Sequence, residues 1–171
     1  MTMAKGSADE SARRQTTFDT FSGMLDAVGV RDALVYLLEL SEYRFIGIFR
    51  LENAKARAVI HYDRENPHVM FVDEVPDSAT YCCFVQNSNN VFSTADALGD
   101  ARLLDHPARK VIRSYCGIPV MDPDGVILGT LCHYDLVPRD PDKLDLQLLL
   151  QAAVRLSQGN YLPAYTSAPG R

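Results

Sequence analysis

The sequence predicts an α+β fold, in which an antiparallel β-sheet is covered by helices that are segregated from its strands. Two observations favour this class. Apolar residues recur at helical spacing near both ends of the chain, whereas two stretches between them alternate as the strands of β-hairpins do. The elements follow one another as helix, helix, hairpin, helix, strand, hairpin and helix, an order typical of α+β domains.

The N-terminal part of the chain predicts a polar tail and then helical structure. Residues 1–16 are small, polar and charged, as in disordered tails. A first helix is predicted from Phe18, with Thr17 as its N-cap, because apolar residues then recur at helical spacing. A second apolar stripe lies within residues 34–41. The two stretches are either two helices or one helix bent at Gly29.

Two β-hairpins are predicted where the period of the apolar residues changes to two. The first joins residues 44–51 to residues 55–62 through a polar turn. The second joins residues 114–121 to residues 126–135. Its turn contains the tripeptide Pro-Asp-Gly at positions 123–125, where Pro presets the turn and Gly tolerates a positive φ.

The stretch between the hairpins predicts a helix over residues 77–87 and a short strand over residues 91–94. Residues 99–113 are polar and irregular, with Pro107 as a breaker. This segment is interpreted as a lid or a crossover.

The end of the chain predicts one more helix. Asp140 is its expected cap and Pro141 its first residue, the apolar residues of 144–156 fill it, and Gly159 ends it. Residues 160–171 are expected to form a second polar tail.

The composition predicts one soluble domain with neither a nucleic-acid nor a membrane partner. The 171 residues fit a single domain, and no apolar run approaches the roughly 18 to 20 residues that span a bilayer. The net charge is −5 and the basic residues are scattered along the chain, which argues against nucleic acid. The start of the chain lacks the apolar stretch of a secretory signal. We therefore expect a cytoplasmic protein.

The cysteines and histidines show no spacing typical of a metal site. No CxxC pair occurs, and the four cysteines are Cys82, Cys83, Cys116 and Cys132. The histidines have no i, i+4 pair, and they are His61, His68, His106 and His133. We expect the cysteines to be reduced thiols in the core and the histidines to lie on the surface or in loops. No metal is predicted.

Several short motifs resemble the C-terminal half of a GAF domain, whose consensus runs as aromatic-x-G-x-P, a D-G turn, G-x-L-C, an acidic residue and P-R. The matching residues are 114–120, 124–125, 129–132, Asp135 and 138–139. Residues 81–82, 94–96 and 100–102 resemble the middle part of the GAF domain. The likeness covers about residues 20–158.

This resemblance implies a GAF-like antiparallel sheet with helices on both faces, over residues 17–159. It also implies a stand-alone sensory domain that is regulated by a bound small molecule rather than a catalyst. GAF domains bind cyclic nucleotides, tetrapyrroles, amino-acid derivatives or metals, so the family leaves the ligand or cofactor of this chain unidentified.

A sheet face roofed by a helix and an irregular segment makes a concave pocket with apolar walls and a few polar groups. The predicted ligand-binding residues are Tyr81, Cys82, Val85, Asp96, Tyr115 and Cys132. Asp96 either orients a ligand amine or hydroxyl or caps the next turn. Strand alternation predicts that Cys116 and Cys132 face one side of the sheet, and Tyr115 and His133 the other.

An alternative is a thiol-dependent reductase that resembles free methionine-(R)-sulfoxide reductase, a GAF-family enzyme with cysteines in the middle helix and in the loop before the aromatic-x-G-x-P motif. Cys82 or Cys83 matches the first position, but residues 100–110 contain no Cys. Neighbours in a helix point about 100° apart, so at most one of the two lines the pocket. The thiols are therefore not expected to form a catalytic set.

The motifs argue against two other ligand classes of the family, cyclic nucleotides and bilins. The Asn-Lys-x-Phe-Asp-Glu motif of cyclic-nucleotide-binding members does not occur. Bilin-binding members attach the pigment through a Cys commonly followed by His, and the Cys-His pair of this chain, Cys132 and His133, lies inside a predicted strand.

The last helix carries apolar residues on more than one face, so one face covers the sheet and the surplus needs another partner. We expect a homodimer through the terminal helices. No output domain fits in the remaining residues, so signalling is expected to pass to a separate protein.

Overall fold

Six antiparallel strands form one sheet in the computed structural model, which describes residues 3–70 and 72–165. The strands are β1 (Phe45–Glu52), β2 (Lys55–Asp63), β3 (Val75–Pro76), β4 (Phe92–Thr94), β5 (Ser114–Met121) and β6 (Ile127–Asp135). Their order across the sheet is β3-β2-β1-β6-β5-β4. The α+β class predicted from the sequence is confirmed.

Helices cover both faces of the sheet, as predicted. They are α1 (Met3–Ala27), α2 (Val30–Glu39), α3 (Cys82–Ser88) and α4 (Leu146–Gln158). Helices α1, α2 and α4 bury their apolar residues against Ile46, Ile118 and Leu131 on one face. On the other face α3 packs with Tyr115 and Cys132. Within the described residues, no helix combines the length and apolar composition needed to cross a membrane.

The first helix begins at Met3 rather than at Phe18, so the helix boundary predicted from the sequence is too late. Ala, Arg and Gln are strong helix formers, and they extend the helix before its apolar stripe begins. Arg14 also donates two hydrogen bonds of 2.9 Å to the carboxylate of Asp145 at the start of α4. Two separate helices are present, because Gly29 between them has a φ of 104°, which favours glycine.

Both predicted hairpins form, and each contains a register shift. Strand β1 pairs with β2 with a shift between Ile48 and Phe49, and β5 pairs with β6 with a shift between Val120 and Met121. The turn after β5 has Gly125 at a φ of 80°. The predicted Pro-Asp-Gly turn is therefore confirmed.

The last helix begins at Leu146, later than predicted, because Asp140 caps a different element. The carboxylate of Asp140 accepts from the amide of Asp142 in a short 3-10 turn, Pro141–Lys143. The carboxylate of Asp145 accepts from the amide of Leu148 and is the cap of α4.

After α4 the described chain returns to the domain surface. Arg50 donates a hydrogen bond of 2.7 Å to the carbonyl of Pro163, and the Tyr161 hydroxyl bonds Asp26. The rest of the predicted C-terminal tail, residues 166–171, lies outside the described residues, as do residues 1–2 of the predicted N-terminal tail.

Candidate functional site

A cavity of about 210 Å³ lies between the sheet and the α3 side of the molecule. Four of the six residues predicted for the site line it, namely Tyr81, Cys82, Tyr115 and Cys132. The other lining residues are Phe49, Val72, Asp73, Val75, Ala79, Thr80, Ala108, Ile112 and Tyr134. The walls are therefore mostly aromatic and aliphatic.

The two remaining predicted residues do not line the cavity. Val85 is completely buried in the apolar cluster beside it. Asp96 accepts from the amide of Leu98 at 3.1 Å and binds the guanidinium of Arg113 through both carboxylate oxygens at 3.0 Å. Of the two roles considered for Asp96, capping is thus the one it fills, and its placement among the wall residues is corrected.

The predicted facing of the second hairpin is wrong. Gly117 stands opposite Cys132, and Cys116 opposite His133, and opposed residues of an antiparallel pair lie on the same face. Cys132 therefore shares the cavity face with Tyr115, while Cys116 and His133 face the helices. The shift at Val120 sets this register, and a shift of one residue exchanges the faces.

The Cys82 thiol is a hydrogen-bonded group of the cavity wall. Its sulfur accepts a hydrogen bond of 3.2 Å from the Tyr115 hydroxyl. The neighbouring Cys132 and the hydrogen bond from Tyr115 hold the pKa of Cys82 below its usual value despite burial. Burial raises the pKa of Cys132 well above its usual value.

The neighbouring Cys83 points elsewhere, as helix geometry requires. Its thiol donates to the carbonyl of Thr80 at 3.1 Å, and burial raises its pKa. Cys82 alone of the pair lines the cavity.

Phe49 and Tyr134, which line the cavity, belong to an aromatic group on β1, β2 and β6 that sequence reasoning did not find. The ring of Tyr134 stacks on Phe45 at 4.6 Å, and its hydroxyl bonds Nε2 of His61 at 2.5 Å. Phe49 packs edge-on against both His61 and Tyr134. Tyr134 lies two residues after Cys132, so strand alternation is the signal that would have placed it here.

Burial keeps His61 and Tyr134 of this aromatic group uncharged. It lowers the pKa of His61 to about 4, against the opposing effect of Asp63, and it raises the pKa of Tyr134 well above its usual value. Both side chains are therefore neutral near pH 7. Among the described residues that line the cavity, Asp73 is the one that belongs to the acidic or basic residue types, and it is exposed.

The irregular segment that was interpreted as a lid or crossover forms one side of the cavity. Ala108 and Ile112 line it, and the carbonyl of Ile112 accepts a hydrogen bond of 2.8 Å from the Tyr81 hydroxyl. The His106 ring packs on Tyr81 with centroids 4.7 Å apart. In the part of the chain that the structure covers, no group of three or more His, Cys, Asp or Glu side chains is placed to hold a metal ion.

A family model described as the GAF domain matches residues 16–159, which is most of the chain. The chain belongs to the GAF domain family. The family resemblance of the sequence motifs is thereby confirmed.

One curated protein matches part of this GAF domain. A stretch of 73 residues is 34% identical to a cyclic di-GMP phosphodiesterase of Pseudomonas aeruginosa. The match covers 41% of this chain but only 12% of the phosphodiesterase, so the chain spans a small part of that relative.

Solved structures share the fold of this GAF domain at low sequence identity. The GAF domain of an Acinetobacter phosphoenolpyruvate-protein phosphotransferase has a TM-score of 0.67 at 16% identity, over 85% of this chain and 90% of that one. Free methionine-R-sulfoxide reductase from Neisseria meningitidis, in complex with its substrate, has a TM-score of 0.67 at 14% identity, over 87% and 89%. Identities this low establish the fold alone.

Proposed function

We propose that this GAF domain is a sensor that binds a small, neutral and largely apolar molecule in the cavity and transmits its occupancy to a separate signalling protein. The cavity itself carries this proposal, because it combines apolar walls with a few inward polar groups. These groups include the Tyr115 hydroxyl and the thiols of Cys82 and Cys132.

The size and the walls of the cavity favour a compact aromatic ligand. Its volume is about 210 Å³, and apolar cavities of about 150 Å³ hold benzene. Phe49, Tyr81, Tyr115 and Tyr134 offer ring faces and edges, with which an aromatic ligand stacks well.

A phosphate-bearing ligand fits this cavity poorly. Phosphates are bound by Arg, Lys or clustered backbone amides, and neither Arg nor Lys occurs among the lining residues within 3–70 and 72–165. The acidic side chain of Asp73 in this lining disfavours an anion. The substrate named for the phosphodiesterase relative is therefore not proposed for this cavity.

Native mass spectrometry of the purified chain tests the proposal first, because a co-purified molecule would identify the ligand class. Indole and phenol then serve as probes in thermal melting. Both are expected to raise the melting temperature of the wild type, but not that of Ala108→Phe, which fills the cavity.

Ala101→Phe is the matched control, since Ala101 belongs to the same segment but is exposed and does not line the cavity. It should respond to the probes as the wild type does. Binding that survives in Ala108→Phe, or the absence of both a co-purified molecule and a probe response, contradicts the proposal.

A thiol-dependent reductase is the second candidate, and the position of Cys82 in the cavity wall favours it. The fold similarity to free methionine-R-sulfoxide reductase is compatible with it. An NADPH-coupled, thioredoxin-linked assay with free methionine sulfoxide tests it. Turnover that is lost in Cys82→Ser and kept in Cys83→Ser would favour the reductase over the sensor.

We also propose that the sensor is a cytoplasmic homodimer that associates through α1 and α4. Four free cysteines suit a reducing compartment. On α4 a row of apolar side chains at spacing i, i+4 is exposed, comprising Leu146 (43%), Leu150 (42%) and Val154 (55%). A helix of a second copy would cover this row.

A further inference from the structure

Two of the four cysteines line the same cavity, although they are far apart in the sequence. They are Cys82 at the start of α3 and Cys132 in β6. Cys116 lies on the opposite face of the sheet, and the Cys83 thiol is directed at the Thr80 carbonyl. The fold therefore selects one pair of thiols.

The surroundings make the members of this pair chemically unequal. The Tyr115 hydroxyl donates to Cys82 at 3.2 Å, whereas the Cys132 sulfur lies 3.7 Å from the carbonyl of Gly47, an acceptor. Donors stabilise a thiolate and acceptors disfavour it. Cys82 thus loses its proton more readily, in agreement with the opposite directions of the two pKa shifts.

The cavity gives small molecules a route to this pair. Cys82 and Cys132 both line it, and its volume of about 210 Å³ accommodates a compact hydroperoxide. An activated thiol and a second thiol in the wall of one cavity are the arrangement from which an intramolecular disulfide can form.

We propose that Cys82 and Cys132 form a reversible intramolecular disulfide when a small hydroperoxide enters the cavity. The Cys82 thiolate attacks the terminal oxygen of ROOH, the O–O bond breaks, and RO⁻ leaves to take up a proton as ROH. Cys82 is thereby oxidised to the sulfenic acid. The Cys132 sulfur then attacks the Cys82 sulfur, and the hydroxyl leaves with the Cys132 proton as water.

In sum, two thiols and one hydroperoxide give one disulfide, one alcohol and one water. An external dithiol reverses the step by thiol–disulfide exchange. This reactivity goes beyond the sensor function, because it needs no ligand. It also revises the expectation from the sequence that the thiols lack activation.

The disulfide would alter the cavity. The sulfur atoms would approach to about 2.05 Å and the hydrogen bond from Tyr115 to a thiolate would be lost. The start of α3 would be tied to β6. Oxidation and ligand binding are therefore expected to compete for the same space.

Peptide mapping of the full-length chain after treatment with one equivalent of hydrogen peroxide tests this proposal. Free thiols are alkylated and the chain is cleaved on the N-terminal side of Asp, which separates Cys116 from Cys132 at Asp122. Fragmentation distinguishes Cys82 from Cys83. The expected product is a monomeric chain with a Cys82–Cys132 cross-link that dithiothreitol removes.

Paired variants provide the control. The variant Cys83→Ser/Cys116→Ser should form the cross-link, joining tryptic peptides 65–102 and 114–139, at the wild-type rate. The variant Cys82→Ala/Cys132→Ala should form none. Circular dichroism of each reduced protein establishes that it is folded.

Three outcomes would overturn the proposal. These are a cross-link through Cys83 or Cys116 in the wild type, disulfides only between chains, and no cross-link at excess peroxide while the urea-unfolded chain oxidises. Because the mapping uses the wild type, a variant that fails to fold does not remove the test. Probe binding by the reduced protein is measured separately, so failure here is distinguishable from failure of the sensor proposal.

Discussion

The ring of Tyr115 lies across the backbone of Gly117, two residues later in β5, so that a Cβ atom at Gly117 would stand 2.2 Å from the Tyr115 hydroxyl oxygen. Only a residue without a side chain permits this arrangement. It directs the buried hydroxyl along the strand to the Cys82 sulfur, 3.2 Å away. Gly117 therefore shapes the cavity wall indirectly, because its missing side chain leaves room for the Tyr115 ring.

Replacement of Gly117 by Ala should displace Tyr115 from Cys82. Because Tyr115 is buried and cannot swing into solvent, we expect a loss of about 1–3 kcal/mol in unfolding free energy, together with slower alkylation of Cys82. Urea unfolding and iodoacetamide labelling measure the two effects. Gly23→Ala is the control: its Cβ would meet nothing within 4 Å, and Ala favours a helix interior by about 0.5–1 kcal/mol. Unchanged stability and labelling in Gly117→Ala would show that Tyr115 can relocate freely.

Replacement of Gly129 by Val should destabilise the centre of the sheet. A Cβ atom there would lie 2.9 Å from the carbonyl oxygen of Phe49 in β1, and backbone cannot move aside without disturbing the β1–β6 pairing. We expect a loss of about 2 kcal/mol or more, seen as a lower melting temperature. Wild-type stability in this variant would contradict the close approach of the two strands.

Acidification should destabilise the fold through buried histidines. Burial lowers the pKa of His133 to about 4, partly offset by the Leu37 carbonyl, and the pKa of His61 is also about 4, whereas an unfolded histidine titrates near 6.5. Between about pH 6.5 and 4 the unfolded chain therefore binds protons that the folded chain does not. Stability is complete above this window and is lost as the pH falls through it.

The expected loss is up to about 3 kcal/mol for each histidine, at about 1.4 kcal/mol per pKa unit. Urea unfolding between pH 7 and pH 4 measures it. His133→Leu should reduce the loss of stability, with the His61 contribution remaining, while the exposed His68→Gln should leave the profile unchanged. A wild-type profile that is flat over this range would mean that neither histidine is buried in its neutral form.

Charged residues in the exposed row of α4 should dissociate the proposed dimer. Leu146→Glu combined with Leu150→Glu places two carboxylates where a second helix would pack, so light scattering should report a monomer. Leu104→Glu is the control, since Leu104 is 62% exposed and lies outside α1 and α4. A wild type that is already monomeric would end the dimer proposal.

Local sequence signals were sufficient for the hairpins and for the family. The Pro-Asp-Gly turn and the alternation on either side of it specify β5 and β6 without tertiary information. Tyr81 and Cys82 were correctly placed at the cavity because a short helix above a sheet has one inward face.

Features that depend on register and on distant partners were not predictable in this way. The register shift after Val120 decides that Cys132 rather than Cys116 faces the cavity. No residue type in the sequence marks the position of this shift. Asp96 accepts a hydrogen bond from Arg113, and only the folded chain brings these two residues together. The early part of α1 is tied to Asp145, a residue that lies 131 positions after Arg14 in the sequence.

The pairing of β1 with β6 also determines when the cavity can form. Phe45 pairs with Tyr134 and Phe49 with Thr130. The two central strands of the sheet, β1 and β6, are thus the first and the last strand along the chain. Contacts between such distant segments form slowly, because a long loop must close first. During synthesis the edge of β1 therefore stays unpaired until β6 has left the ribosome. In that interval it is exposed and able to pair with other chains.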